Sequence, residues 1–330
     1  MNPATPATLV RCCAALLLIG LGLFWHKPAQ ATISCSTASM SALAFGNVDP
    51  QSSQTDSTAN FAYSCSNTKG SSYSATICFS IGEPGGGPTN PRQMSDPSND
   101  KLNFQMYQDA ARSVIWGSQF FGSPTPLIVN ITLASGASTN GSATLYGRVL
   151  AGQPTAIPAS YQDNYQNGDT AVSINQQSGN TPPGSCSGSG SSPFFPFLVS
   201  ATVVNKCTVT ASTLNFGASV GLLTSAVPAT TTLGVQCSNG TPYNVGLDAG
   251  LNGGGNINAR KMVQGADSIA YQLYQNSGRT TVWGNTVGTN TIAGTGTGNS
   301  QSLTVYGNVP AQATPPAATY NDTITVTVTY

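Results

Sequence analysis

"LNFQMYQDAARSVIWG", Leu102 to Gly117, and "IAYQLYQNSGRTTVWG", Ile269 to Gly284, are two versions of one segment in a single chain of 330 residues. Each alternates apolar and polar residues, breaks at a polar turn and resumes into Trp-Gly, the pattern of a β-hairpin. The copies extend in both directions. Upstream, Cys35 is followed by "LAFG" and Cys65, and Cys207 by "LNFG" and Cys237, each cysteine pair being separated by 30 residues. Downstream, "LYGRVLAGQPTAIPASYQD" from Leu145 answers "VYGNVPAQATPPAATYND" from Val305. Landmarks kept in one order across both halves predict two homologous domains.

Both domains read as all-β. Gly, Ser, Thr, Asn and Pro punctuate short alternating segments, and no apolar period of 3.6 persists. In "ITVTVTY", Ile324, Val326, Val328 and Tyr330 face one way and three threonines the other, as in a strand buried on one face. Trp116 and Trp283 hold equivalent places and read as core or fold-defining residues, as do the pairs Tyr107 with Tyr274 and Tyr146 with Tyr306.

Before the first repeat, Arg11 precedes an apolar run of 12 residues, Ala14 to Trp25, followed by "PAQA". That is the form of a secretory signal, shorter than the roughly 20 residues a membrane-spanning helix needs. Residues 1–31 are therefore expected to be a cleaved signal, 32–204 a first domain with insertions, and 205–330 a second. The predicted mature chain has no histidine, and it keeps nine basic and eleven acidic residues. This charge supports no nucleic-acid surface.

Six cysteines remain in an exported chain, with no CxxC pair, which favours disulfides over a metal or redox site. Bridges Cys35–Cys65 and Cys207–Cys237 would each contribute about 3.6 kcal/mol by restricting the unfolded chain. Cys78 and Cys186 have no counterparts in the second repeat and are paired with each other, the alternative being two buried thiols. No cofactor is expected, and an enzyme is disfavoured. The mature chain has one glutamate, Glu83, in a Pro/Gly loop, whereas general acid-base and nucleophilic catalysis usually rely on His, Cys or paired carboxylates. Asp163 and Asp322 recur in both copies and read as turn-stabilising.

Between the repeats lies "FFPFLVSATVV", in which Phe197, Val199, Ala201 and Val203 alternate as a strand's inner face does. The second repeat has no such segment before Tyr330. The first domain thus has one more strand available than the second, whose sandwich is expected to carry an apolar groove and an unpaired edge. A strand from another chain can fill such a vacancy.

At "CTVTASTLNFG", the "VWG" hairpin and "TVYGNVPAQATPPAATYNDTITVTVTY", the sequence resembles the spore coat protein U domain, closely over Cys207 to Tyr330 and more loosely over Cys35 to Ile174. The resemblance implies tandem immunoglobulin-like, pilin-like β-sandwiches of the kind that build archaic chaperone-usher pili. Two domains in tandem resemble that family's tip adhesin. Only "TIS" precedes Cys35 in the predicted mature chain, too short to serve as a donor strand, which also fits the tip. The partners so implied are the next pilus subunit supplying a donor strand, a periplasmic chaperone, an outer-membrane usher and a target surface. The implied role is attachment and biofilm formation at the cell surface.

Three departures of the first repeat from the second locate the expected contact surface, one of them "GEPGGGPTNPRQMSD", Gly82 to Asp96. "GSQFFGSPTPLIVNITL" carries Phe120, Phe121, Leu127 and Ile128, and "AGQPTAIPASY" carries Ile157 between prolines. A cluster of exposed apolar residues in loops marks an interaction site. The competing reading makes Leu127, Ile128 and Ile131 the start of a core strand and has Phe120 close the end of the sandwich. A sugar-binding lectin and a structural coat protein are the alternative functions.

Overall fold

A computed structural model describes residues 33–51, 53–120, 125–186, 193–217 and 221–330. The expected signal and Phe121 lie outside the described residues. The first repeat contributes β1 (Ile33–Met40), β2 (Leu43–Val48), β3 (Thr55–Asn67), β4 (Tyr73–Ile81), β5 (Arg92–Ser95) and β6 (Lys101–Tyr107). It continues with β7 (Leu127–Leu133), β8 (Ser138–Val149), β9 (Ser160–Tyr165), β10 (Thr170–Ser178) and β11 (Phe197–Val203). The second contributes β12 (Cys207–Ala211), β13 (Val227–Cys237), β14 (Pro242–Leu247), β15 (Lys261–Gln264) and β16 (Asp267–Ala270). After them come β17 (Gln272–Tyr274), β18 (Ile292–Thr295), β19 (Ser300–Val309) and β20 (Val326–Thr329).

In the first sandwich an eight-stranded sheet, in the order β1-β3-β8-β6-β5-β9-β11-β2, faces a three-stranded sheet, β10-β4-β7. The core between them is strongly aromatic. Phe61 packs against Phe79, Trp116 and Phe195 with ring centroids 4.8, 5.5 and 5.1 Å away, close enough for aromatic pairing beyond simple burial. Trp116 donates its indole N–H to the Phe79 carbonyl at 2.9 Å, and Trp283 does the same to Val245 at 2.8 Å. The repeated Trp-Gly thus closes each hairpin onto the opposite sheet.

The bridges Cys35–Cys65 and Cys207–Cys237 join residues directly opposite each other in β1–β3 and β12–β13. Cys78–Cys186 fastens a strap, residues 179–186, over the outer face of β4. Ser74 Oγ donates to the Gly179 carbonyl at 2.8 Å, Asn175 Nδ2 to Ser185 O at 2.9 Å and Gln177 Nε2 to Thr181 O at 2.7 Å. Thr76 also donates to the Pro183 carbonyl. Covered on both sides, β4 is buried from Ser74 to Ile81.

The second sandwich repeats this plan with fewer strands. Its sheets run β12-β13-β19-β17 and β18-β14-β20, with the hairpin β15–β16 beside them. Here β12, β13, β14, β18, β19 and β20 answer β1, β3, β4, β7, β8 and β10. "LNFG", Leu214 to Gly217, forms no strand although "LAFG" lies within β2. Tyr320 to Ile324, the counterpart of β9, is held to the hairpin by the bridge between Asn321 and Val263.

Candidate functional site

Strand β11 runs antiparallel to β9, with Phe197, Val199 and Ala201 opposite Tyr165, Asp163 and Tyr161. On its other side it runs parallel to β2, with Val199 opposite Leu43. The β2 register slips between Ser200 and Thr202, where Gly46 takes φ +66 and accommodates the kink. The alternation expected of β11 is present: Phe197, Val199, Ala201 and Val203 are buried, and the residues between them are not.

In the second sandwich the corresponding place is an open groove of about 360 Å³. Leu214 and Phe216 border it on one side and Tyr320, Ile324 and Val326 on the other, with Leu233, Leu273 and Val305 among the lining residues. The loss of cover is measurable at matched positions. Leu43 is 0% exposed and Phe45 7%, whereas Leu214 and Phe216 are half-buried. Tyr161 is 0% exposed, whereas Tyr320 is half-buried.

One end of the groove is fixed by Asp322. Its carboxylate accepts from Tyr271 Oη at 2.7 Å, Leu251 N at 3.0 Å, Asn252 Nδ2 at 2.9 Å and its neighbour Thr323 N at 2.9 Å. Burial pushes the Tyr271 hydroxyl well above the ordinary tyrosine range, and its bond to Asp322 acts in the same direction. Asp322 therefore ties the 250–252 loop to the groove rim, a longer-range task than the local turn expected of it.

The acceptor residues named from the sequence divide. Ile324 and Val326 line the groove. Strand β20 spans only Val326–Thr329 and pairs with β14 in the smaller sheet, as β10 pairs with β4. Val328 packs against the second core from that sheet, and Tyr330 lies beyond the strand, 55% exposed. The alternation in "ITVTVTY" is real, but the segment crosses from the groove to the opposite sheet.

The first-sandwich residues divide as well. Phe120 is 37% exposed, in a segment stitched to the repeated hairpin through Gly117 N to Thr125 O at 2.9 Å and Thr125 Oγ1 to Ile115 O at 2.7 Å. Leu127 and Ile128 belong to β7 and not to a loop. Leu127 packs on the core, while Ile128 points outward, 54% exposed. Val114 at the hairpin tip, 43% exposed, escaped sequence reading, although its counterpart is the polar Thr281. Ile157 is at the junction of the two repeats and not in an outer loop. A Cβ on Gly240 would lie 4.0 Å from its Cγ2, and its backbone N–H and carbonyl are both bonded to Tyr161 Oη, at 3.2 and 3.0 Å.

Two pilin-like, immunoglobulin-type β-sandwiches, one complete and one grooved where its twin holds a strand, define the class of this protein. The chain belongs to the Spore Coat Protein U domain family, whose model matches residues 24–166 and 194–327. It is 36% identical over 107 residues to Protein U of Myxococcus xanthus, a match covering 31% of this chain and 59% of that protein. Among solved structures it is similar to a chain of the CsuC-CsuE chaperone-tip adhesion subunit pre-assembly complex from the archaic chaperone-usher Csu pili of Acinetobacter baumannii. That likeness has a TM-score of 0.50 at 19% identity and covers 90% of this chain and 100% of the other; it shows the fold.

Proposed function

We propose that this protein is the tip adhesin subunit of a chaperone-usher pilus, joined to the next subunit by a donor strand laid into the groove of its second sandwich. The observation that carries this is internal: the groove occupies the place that β11 fills in the first sandwich. An incoming strand of alternating apolar residues would extend the sheet at Tyr320 to Ile324 and cover Leu214 and Phe216. Before assembly a periplasmic chaperone would shield the same apolar surface, and an outer-membrane usher would export the subunit to the cell surface. The complete first sandwich is then left to meet a target surface, mediating attachment and biofilm formation.

The test uses a peptide with the sequence of residues 193–204, refolded with the full chain. We expect one peptide per chain, a raised unfolding temperature for the second sandwich and slowed amide exchange over residues 211–217. A folded second sandwich that takes up no peptide would sink this reading. For the adhesive end, Phe120→Ser should lower attachment of piliated cells to apolar surfaces, because burying about 100 Å² of such a side chain contributes about 2.5 kcal/mol per contact, multiplied across many pili. Full attachment at normal piliation would remove Phe120 from the contact surface.

A further inference from the structure

Beneath the seam between β9 and β11 the first sandwich sets one buried carboxyl group, Glu83, and one half-buried, Asp163, beside one cation. Arg92 is 0% exposed and Glu83 5%, and Arg92 Nε meets Glu83 Oε2 at 3.0 Å. The rest of the guanidinium is committed elsewhere, to Gln105 Oε1 at 2.6 Å and to the carbonyls of Ile81, Gly82 and Trp116 at 3.0 to 3.2 Å. Tyr165 gives its hydroxyl proton to Glu83 Oε2 at 3.0 Å. Asp163 Oδ2 is buried with no hydrogen-bond partner among the described residues. The groups acting on this pair are Arg92 of β5, Tyr165 of β9, Lys101 of β6 and Asp169 in the turn after β9.

Two ionised carboxylates beside one arginine would leave an uncompensated negative charge out of water, which protonation relieves most simply. Asp163 lies directly opposite Val199 of β11 and Tyr165 opposite Phe197. The Tyr165 and Phe197 rings stack at 4.6 Å and 5°, so the cluster and the strand share a wall. The second sandwich supplies its own contrast, because the equivalent Asp322 is satisfied by four donors.

We propose that the Asp163–Glu83 pair retains one proton in the folded first sandwich and that this proton latches β11 in its seat. Burial pushes Glu83 up to about 7, with Arg92 opposing and Asp163 reinforcing the rise. Burial also pushes Asp163 up to about 6, with the neighbouring Tyr165 hydroxyl and the Arg92 charge opposing the rise. An acid raised in the folded state binds its proton there more tightly than when exposed. Its stabilisation is complete below the ordinary carboxylate range and is lost as pH rises through about 6 to 7. The latch is therefore closed in acid and loosened at neutral and alkaline pH.

The test is amide exchange on the full chain, corrected for intrinsic rates, with β19 of the second sandwich as internal reference. Protection of residues 197–203 relative to β19 should fall by about tenfold or more between pH 4.5 and 8, one pKa unit being tenfold. Asp163→Asn, which leaves Glu83 buried beside Arg92, should give a clearly shallower profile. A flat profile in the natural protein, or an unchanged slope in Asp163→Asn, would overturn the proposal. Carbon-13 carboxyl titration of the natural protein tests the same point without a substitution: the Asp163 and Glu83 signals should both move as the pair loses its one proton between about pH 5.5 and 7.5, and finding both fully ionised by pH 5.5 would refute it.

Discussion

Gly147 and Gly307 occupy one position of the repeated "YG" and support different surroundings. A Cβ on Gly147 would meet Leu43 Cδ2 at 2.6 Å and Phe45 Cζ at 2.9 Å, and on Gly307 it would meet Leu214 Cδ2 at 2.6 Å and Phe216 Cζ at 3.0 Å. Each glycine gives its leucine and phenylalanine room to lie flat on the sheet. Leu43 and Phe45 are then held down by the strand paired with β2, whereas Leu214 and Phe216 form an open rim and can swing outward. Gly147→Ala should therefore destabilise the first sandwich by about 1–3 kcal/mol, as overpacking of a closed core does. Gly307→Ala should cost the isolated second sandwich core less than about 1 kcal/mol and instead weaken uptake of a donor peptide. Amide exchange resolved by sandwich reads both, and equal losses would mean that the groove rim is as rigid as its covered twin. Arg92 and Arg260 make a similar pair. Arg260, 1% exposed, holds Leu247 O, Asp248 O and Trp283 O at 2.6 to 2.9 Å and Gln272 Oε1 at 2.7 Å, but only Arg92 also faces a buried carboxylate.

At the scale of elements, what could be read from the sequence is what local chemistry decides. The hairpin's alternation marks β6 and β17, and the equal cysteine spacings fall on residues that are directly opposite in β1–β3 and β12–β13. The inner face of β11 is legible because Phe197, Val199, Ala201 and Val203 recur every second residue. What could not be read is decided by a neighbour far away in the chain. "LAFG" and "LNFG" are nearly the same word, yet only the first is a strand, because only the first has β11 beside it. Extended backbone without a partner remains a loop. "ITVTVTY" alternates without interruption, but Thr325 N binds Asp248 Oδ1 at 2.9 Å where the segment turns from the groove toward β14, and periodicity carries no sign of that turn. Glu83 sits among glycines and prolines as exposed residues do, and its burial depends on Arg92 nine positions on. The signal that could have revealed it is "PRQM" against "ARKM", a repeated arginine in a chain with few charges.

At the scale of the whole molecule, the junction decides whether two sandwiches act as one body. Val204, Asn205 and Lys206 join β11 to β12, and the second sandwich grips all three. Ser238 Oγ donates to Val204 O at 3.2 Å, Thr241 Oγ1 to Asn205 Oδ1 at 3.0 Å and Ser238 N to Lys206 O at 2.8 Å. From the first sandwich, Gln51 Nε2 reaches Gln236 O at 3.3 Å and Thr155 O accepts from Asn239 Nδ2 at 2.9 Å. The closest approach is at Gly298, where φ is +76 and a Cβ would fall 1.7 Å from the Pro154 carbonyl oxygen. No side chain fits there without moving one backbone off the other. Gly298→Ala should therefore lift the 152–157 loop from the second sandwich and leave the three-residue linker as the main joint. Interdomain contacts of this small kind yield to relative motion once a central contact is lost. Small-angle scattering of the full chain should then show a larger radius of gyration and maximum dimension. The left-handed backbone itself costs a substituted residue about 1 kcal/mol, so a control must carry that strain without the contact. Gly265 has φ +58 with nothing within 4 Å of an added Cβ, and Gly265→Ala should leave the scattering unchanged. Identical scattering from both variants would mean that the linker alone sets the arrangement, and that the loop carrying Ile157 rests on the second sandwich without holding it.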